Sequence, residues 1–265
     1  MLTQTYLIVG ALTLVHTVFW YCVALLKKRN DVADVAWGLG FLIAAAVSYG
    51  RGPIAFDRGL LVMTLVAIWA LRLSLHIYLR NRGRGEDYRY QDWHKQWSRA
   101  FCLRTFFQVF LLQWLLMLLV SLPVLLVNVS RGGPWGALDL IGAVVWMTGF
   151  YFEAVGDWQL ARFSRAPENK GKILQTGLWG CSRHPNYFGE VVQWWGLALI
   201  ALSVPDGWLG LFGAATITFL LLKVSGIPML EKRASLKAGW TDYTAKTPKF
   251  WPRWPGHAAQ GPLSS

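Results

Sequence analysis

Seven mostly apolar stretches, 15 to 29 residues long, alternate along this chain with segments that hold nearly all of its charge. A helix needs about 20 mostly apolar residues to cross the hydrocarbon core of a bilayer. Within that core each backbone polar group must be satisfied inside the segment. The alternation therefore predicts an all-α polytopic membrane protein of about seven transmembrane helices. The runs are Leu2–Leu26, Val35–Tyr49 (extending back to about Asp31), Leu60–Leu79, Phe101–Val129, Leu138–Leu160, Pro185–Leu202 and Trp208–Val224. Pro123 bends or ends the fourth. The first is too long and too aromatic for a cleaved signal peptide and reads as a retained helix. Residues 1–257 read as one transmembrane domain and 258–265 as a flexible tail; no internal repeat or separate soluble domain is visible.

Composition agrees. Charged residues make up 15% of the 265, against about 25% in a soluble domain. Many of the 16 tryptophans stand near the ends of apolar runs (Trp20, Trp69, Trp135, Trp208), at the headgroup boundary that amphipathic rings favour. The net charge of +12 follows the loops, so it reads as the positive-inside bias of a membrane protein and not as a nucleic-acid footprint. With the N-terminus outside, 22 Lys and Arg fall on the cytoplasmic side and three (Arg51, Arg58, Arg131) on the other. That predicts an N-out, C-in topology. Cys22, Cys102 and Cys181 form no CxxC and no metal spacing, so neither a disulfide framework nor a metal site is expected. Membrane lipids are the evident surroundings, and no obligate protein partner is indicated.

A transporter places ionisable groups near the middle of the membrane, whereas here the polar information gathers at the cytoplasmic helix ends. Three segments stand out. The first, Asn81-Arg82-Gly83-Arg84, joins guanidinium forks to a glycine and suits either a phosphate or anionic lipid. The second, Asn169-Lys170-Gly171-Lys172, follows Glu153 and Asp157, which lie four apart on one helical face. Those acids can accept from an adenine amine or ribose hydroxyls, or be neutralised by Arg162 or Arg165. The third is Gly177-Leu178-Trp179-Gly180-Cys181-Ser182-Arg183-His184-Pro185-Asn186-Tyr187-Phe188-Gly189-Glu190. Pro185 suits a first helical turn, and Asn186, Glu190 and Trp194 then form one stripe. Such groups need partners in lipid, from neighbouring helices or from a ligand.

This third segment resembles the signature of the steroid 5α-reductase family, in particular its bacterial membrane branch. Looser relatives are the sterol C14 reductases and isoprenylcysteine carboxyl methyltransferases. Asp34-Val-Ala-Trp37-Gly-Leu-Gly-Phe41, the Asn81 to Arg84 loop, the Asn169 to Lys172 loop and Lys223-Val-Ser-Gly-Ile-Pro…Glu231 match in order, so the resemblance runs from about Asp31 to Pro252. It implies a multi-pass protein of the bacterial inner membrane that uses NADPH to reduce an activated carbon–carbon double bond. The substrate that it implies is an apolar, steroid-like enone such as a 3-oxo-4-ene steroid.

The cofactor set that the resemblance implies begins with Asn81 and Arg84 at phosphate groups. Arg82, Arg165, Lys170 and Lys172 are further phosphate partners, Lys172 standing where the family has arginine and Arg165 lying one position away from one. Asp157 falls near the adenosine, with Glu153 in place of an asparagine. Asn186 and Glu190 fall near the nicotinamide carboxamide, beside Trp194, Tyr187, Arg183 and His184. Lys223 replaces an arginine, and Glu231 a tyrosine.

At the substrate end this chain departs from the animal enzymes, in which a glutamine–glutamate pair and a tyrosine polarise the ketone. Gly40, Phe41 and Ala70 align there, and none has a side-chain proton to donate. Asp34, Arg72 and His76 are the replacement catalytic candidates, Asp34 with a salt bridge to Arg72 or a helix-start cap as its alternative role. Trp37, Phe41 and Tyr151 are candidate substrate contacts. A methyltransferase using S-adenosylmethionine is the competing enzyme reading, since part of the Arg183-His184-Pro185 signature is shared; it leaves the three basic clusters without a phosphate to bind. A non-catalytic lipid-binding scaffold is the third. There is no Rossmann glycine fingerprint.

Overall fold

The computed structural model describes residues 1–52, 58–83, 85–86, 101–130 and 134–253, and among them helices dominate and no strand occurs. Helix α1 spans Leu2–Lys27, α2 Val32–Arg51 and α3 Arg58–Asn81. Helix α4 is Phe101–Val120, with a π-helical turn at Phe106–Leu111, and α5 is Leu122–Val129. Then come α6 (Ala137–Arg165), α7 (Pro185–Ala201) and α8 (Gly210–Phe219), which a π-helical turn, Leu220–Val224, extends. The short α9 (Ile227–Ala234) and α10 (Trp240–Lys246) close the described chain.

Six stretches among the described residues are long and apolar enough to cross a membrane: α1, α2, α3, α4, α6 and Gly207–Ala234. The remaining predicted span, α7, has 17 residues, about 25 Å of helix. The chain is thus an all-α polytopic membrane protein. The fourth apolar run breaks at Ser121, two residues before Pro123. Pro123 then sits in the first turn of α5, where its missing N–H costs nothing. The residues group into two compact units interleaved along the sequence, Met1–Ala143 with Trp195–Thr216, and Val144–Trp194 with Ile217–Ser265.

In lipid no hydrophobic force drives helices together, so close packing of small residues and interhelical hydrogen bonds must hold them. In the first unit α2 supplies the small face: Ala33, Ala36, Gly38, Gly40, Ala44, Ala45 and Ser48 are buried, and α2 packs on α1, α3 and α5. Ser74 Oγ on α3 donates to Val35 O (3.0 Å). From α5, Asn128 Nδ2 donates to Ala45 O (3.1 Å) and Ser48 Oγ (2.8 Å). Trp114 Nε1 on α4 donates to Gly10 O and Thr13 Oγ1, both at 3.1 Å. A buried ion pair joins the starts of α3 and α6, with Arg58 donating to Asp139 Oδ2 (2.8 Å) and to Pro134 O (3.0 Å).

In the second unit α6 and α7 approach through glycines. A β-carbon on Gly189 would collide with Glu153 N and Gly149 O, and one on Gly149 would lie 2.7 Å from Gln193 N. This closeness brings polar side chains on both helices within hydrogen-bonding reach.

Removing one partner of the Arg58–Asp139 pair strands a buried charge, at a cost of about 3–5 kcal/mol. Asp139→Leu should therefore lower the unfolding temperature in detergent, while Arg58→Met combined with Asp139→Leu recovers most of the loss. An Asp139→Leu protein as stable as the parent would show that the pair holds nothing together.

Candidate functional site

On α6 the spacing of Glu153 and Asp157 sets both carboxylates on the buried face, at 2% and 8% exposure. The sequence left open whether arginines or a nucleotide would answer them. Amides of α7 do so. Gln193 Nε2 donates to Glu153 Oε2, and Asn186 Nδ2 donates to Asp157 Oδ1 at 3.0 Å. Arg162 instead lies over the Trp158 ring, 5.6 Å from its centroid. Each rung is a carboxylate locked to an amide.

Because carboxylates only accept, the two amides are oriented with their N–H ends on the acids. Their oxygens are left over. Gln193 Oε1 and Asn186 Oδ1 are buried without a hydrogen-bond partner. Glu190 is buried on the same stripe, one turn beyond Asn186, and Trp194 is 1% exposed.

The entrance to α7 is tied down by the C-terminal segment. Trp179 Nε1 donates to Gly156 O (2.9 Å), and Tyr243 OH donates to Trp179 O (2.6 Å). Arg183 N donates to Pro248 O (3.0 Å) and Ser182 Oγ to Phe250 O (2.9 Å). The Arg183 guanidinium donates to Glu231 Oε1 (2.8 Å), Thr244 O (3.3 Å) and Thr247 O (3.2 Å), and lies over Trp240. Its fork is therefore spent inside the protein, and Glu231 is its counter-ion, also approached by Lys249 at 3.6 Å.

His184 donates from Nε2 to Glu231 Oε1 (3.2 Å) and stacks on Tyr187. With Nε2 carrying the proton, Nδ1 is an acceptor, and it is buried without a partner. Burial holds the His184 pKa below its ordinary value, outweighing the pull of Glu231 toward the charged form. Burial likewise pushes the Tyr243 phenol up.

Three acceptors, His184 Nδ1, Asn186 Oδ1 and Gln193 Oε1, thus lie unspent over the start and first turns of α7. They fit the amide, amine and hydroxyl donors of a nucleotide. In the same unit Arg165, Lys170, Lys172 and Lys223 are exposed, as residues meeting phosphate would be. The Lys170 to Lys172 loop turns on Gly171, whose φ of +82° favours glycine.

In the first unit Asn81 ends α3, with Arg82 exposed after it and Arg84 outside the described residues. A basic residue that the sequence reading passed over sits here. Arg29 pairs bidentately with Asp31 (3.0 and 2.6 Å) and reaches Asn81 O (3.5 Å) and Gly85 O (3.4 Å). Glu86 Oε1 accepts from Asn30 N (2.6 Å). Together they join the α1–α2 turn to the end of α3.

Asp34 lies in the first turn of α2, and Arg72 and His76 lie on α3; all three are half-buried. Phe41 is buried between Trp37 (5.0 Å) and Trp69 (5.4 Å). Tyr151 is 53% exposed; two residues from Glu153, it lies on the far side of α6.

A multi-helix membrane protein with a polar ladder in its second unit is the class that this architecture defines. Residues 20–247 match the family described as "Protein of unknown function (DUF1295)", and the chain belongs to that family, which is steroid 5α-reductase-like. It is 27% identical over 216 residues to an uncharacterized protein of Schizosaccharomyces pombe, covering 69% of this chain and 60% of that one. It is 34% identical to steroid 5-alpha-reductase DET2 of Arabidopsis thaliana over 119 residues, 43% of this chain and 38% of that one. To 3-oxo-5-alpha-steroid 4-dehydrogenase 1 of Bos taurus it is 35% identical over 83 residues, 31% and 30% of the two chains. The matches thus span less than two thirds of each relative's length. No solved structure matches.

The His184 pKa gives the site a pH signature. Its folded value lies below the unfolded one, near 6.5, so between the two the unfolded chain binds more protons. The stability that neutral His184 contributes is complete above about pH 6.5 and is lost as the pH falls toward the folded value. Unfolding temperatures measured from pH 7.5 to 5 should fall more steeply for the parent than for His184→Gln. Parallel curves would remove His184 as the titrating group.

Proposed function

We propose that this protein is a membrane reductase that takes NADPH and reduces the activated double bond of an apolar enone, with 3-oxo-4-ene steroids as the substrate class. The observation that supports it most is the set of three buried, unspent acceptors along α7, in the unit that also exposes Arg165, Lys170, Lys172 and Lys223. A dinucleotide offers carboxamide and hydroxyl donors to the first group and phosphate oxygens to the second. When bound, it supplies a hydride. Asp157 and Glu153 hold the amides of Asn186 and Gln193 so that their oxygens face donors and not acids. The negative charge that develops on the substrate oxygen needs a fixed donor in a dry site, where such dipoles act strongly. Asp34, Arg72 and His76 are the candidates for that role. Similarity to a steroid 5-alpha-reductase and a 3-oxo-5-alpha-steroid 4-dehydrogenase supports the reaction type.

On this reading the protein lies in a bacterial inner membrane, and the Lys/Arg bias supports an N-terminus outside with the nucleotide side facing the cytoplasm.

Purified protein in detergent should be stabilised by NADPH more than by NADH or S-adenosylmethionine, and should oxidise NADPH when given 3-oxo-4-ene steroids. Stabilisation by S-adenosylmethionine alone would overturn the assignment. Lys172→Gln should weaken NADPH binding about tenfold, the loss of one charge-assisted hydrogen bond of about 1.5 kcal/mol. Asp34→Asn should slow turnover with little change in NADPH affinity; unchanged turnover removes Asp34 from the chemistry.

A further inference from the structure

Glu231, on α9, spends its carboxylate inside the protein, where a direct cofactor contact was expected. Its Oε1 accepts from Arg183 Nε (2.8 Å) and His184 Nε2 (3.2 Å), and Lys249 Nζ lies 3.6 Å from Oε2. The two main contacts differ in kind. Arg183 also donates to Thr244 O and Thr247 O, so its guanidinium keeps partners without Glu231. The His184 ring depends on Glu231 for the placing of its proton. A carboxylate between two cations accepts and does not donate, so Nε2 carries the hydrogen and Nδ1 is left as an acceptor.

The ring is fixed in other ways too. It stacks on Tyr187 with centroids 5.9 Å apart and planes 9° from parallel. Its backbone N donates to Ser182 Oγ (3.2 Å), which in turn donates to Phe250 O (2.9 Å). These contacts set where the ring lies. They do not set which nitrogen holds the proton. Nδ1 is buried without a hydrogen-bond partner among the described residues.

A single leftover acceptor is not by itself a site; Asn128 Oδ1 in the first unit is another. The second unit instead repeats one device three times within ten residues. Glu153 takes the donor end of Gln193, Asp157 that of Asn186, and Glu231 that of His184. Each partner is a group that both donates and accepts, and each is left with its acceptor unspent. Three acids thus turn three ambivalent groups into acceptors at the start and along one face of α7.

We propose that Glu231 is a positioning residue: it fixes the Nε2–H tautomer of His184 and so presents Nδ1 as a hydrogen-bond acceptor to an N–H or O–H of the bound cofactor. This deepens the reductase proposal and rests on it for the identity of the cofactor. It also makes the C-terminal segment part of the site, since the acid that sets the tautomer comes from α9 and not from α7.

The test uses the full-length protein in detergent at neutral pH, with histidine-selective nitrogen-15 labelling and NADP+ as the probe. Of the five histidines, His184 is assigned by the signals lost in His184→Phe. In the parent it should show an unprotonated Nδ1, whose resonance moves when NADP+ binds. Glu231→Leu should mix the two tautomers and weaken NADP+ about fivefold, the worth of one neutral hydrogen bond. In a His184→Phe background the same change should weaken NADP+ no further. Glu231→Gln keeps an acceptor oxygen for Nε2, so tautomer and affinity should hold even though the loss of charge beside Arg183 lowers the unfolding temperature. An equal effect of Glu231→Leu in both backgrounds would make Glu231 merely structural and overturn the inference. So would a Glu231→Gln protein that loses affinity along with stability. NADP+ binding that leaves the His184 signals unmoved would remove the inference and leave the reductase proposal standing. If S-adenosylmethionine moved them and NADP+ did not, Glu231 would keep its role and the reductase proposal would fall.

Discussion

A bilayer interior has no water to hydrate a polar group, and this protein is organised around that constraint. Buried carboxylates, amides and a guanidinium are met side chain by side chain. Arg58 meets Asp139, Asn128 meets Ser48 and the α2 backbone, and Gln193 and Asn186 meet Glu153 and Asp157. Some buried acceptors are left without a hydrogen-bond partner, among them His184 Nδ1, Asn186 Oδ1 and Gln193 Oε1 in the second unit and Asn128 Oδ1 in the first.

Pairing at that level depends on close approach. Gly149, Gly156 and Gly189 let α6 and α7 come within backbone contact, and Gly38 does the same for α2 against α3. The same spacing that packs the helices delivers the short Asn186 side chain to Asp157. Packing and site formation are one event in the second unit, so a bulky substitution at Gly189 would disturb both.

The helix pattern was legible in the sequence. Runs and caps placed α2 from Asp31 and α7 from Pro185, and the break near Pro123 appears at Ser121. The acids of α6 and the polar stripe of α7 were legible as faces, because their spacing follows the helical period. Their partnership was not, since 29 and 40 residues separate the paired groups. Arg183 and Glu231, both read as cofactor contacts, turned out to face each other across 48 residues.

The sequence by itself determined that the chain crosses a membrane many times, which helices do so, and which faces carry polar groups. Hydropathy and helical period are local properties, written within some 20 residues. Only the tertiary structure decided which polar group answers which, and which are left over. Hydrogen bonds span a few ångströms of space and take no account of distance along the chain.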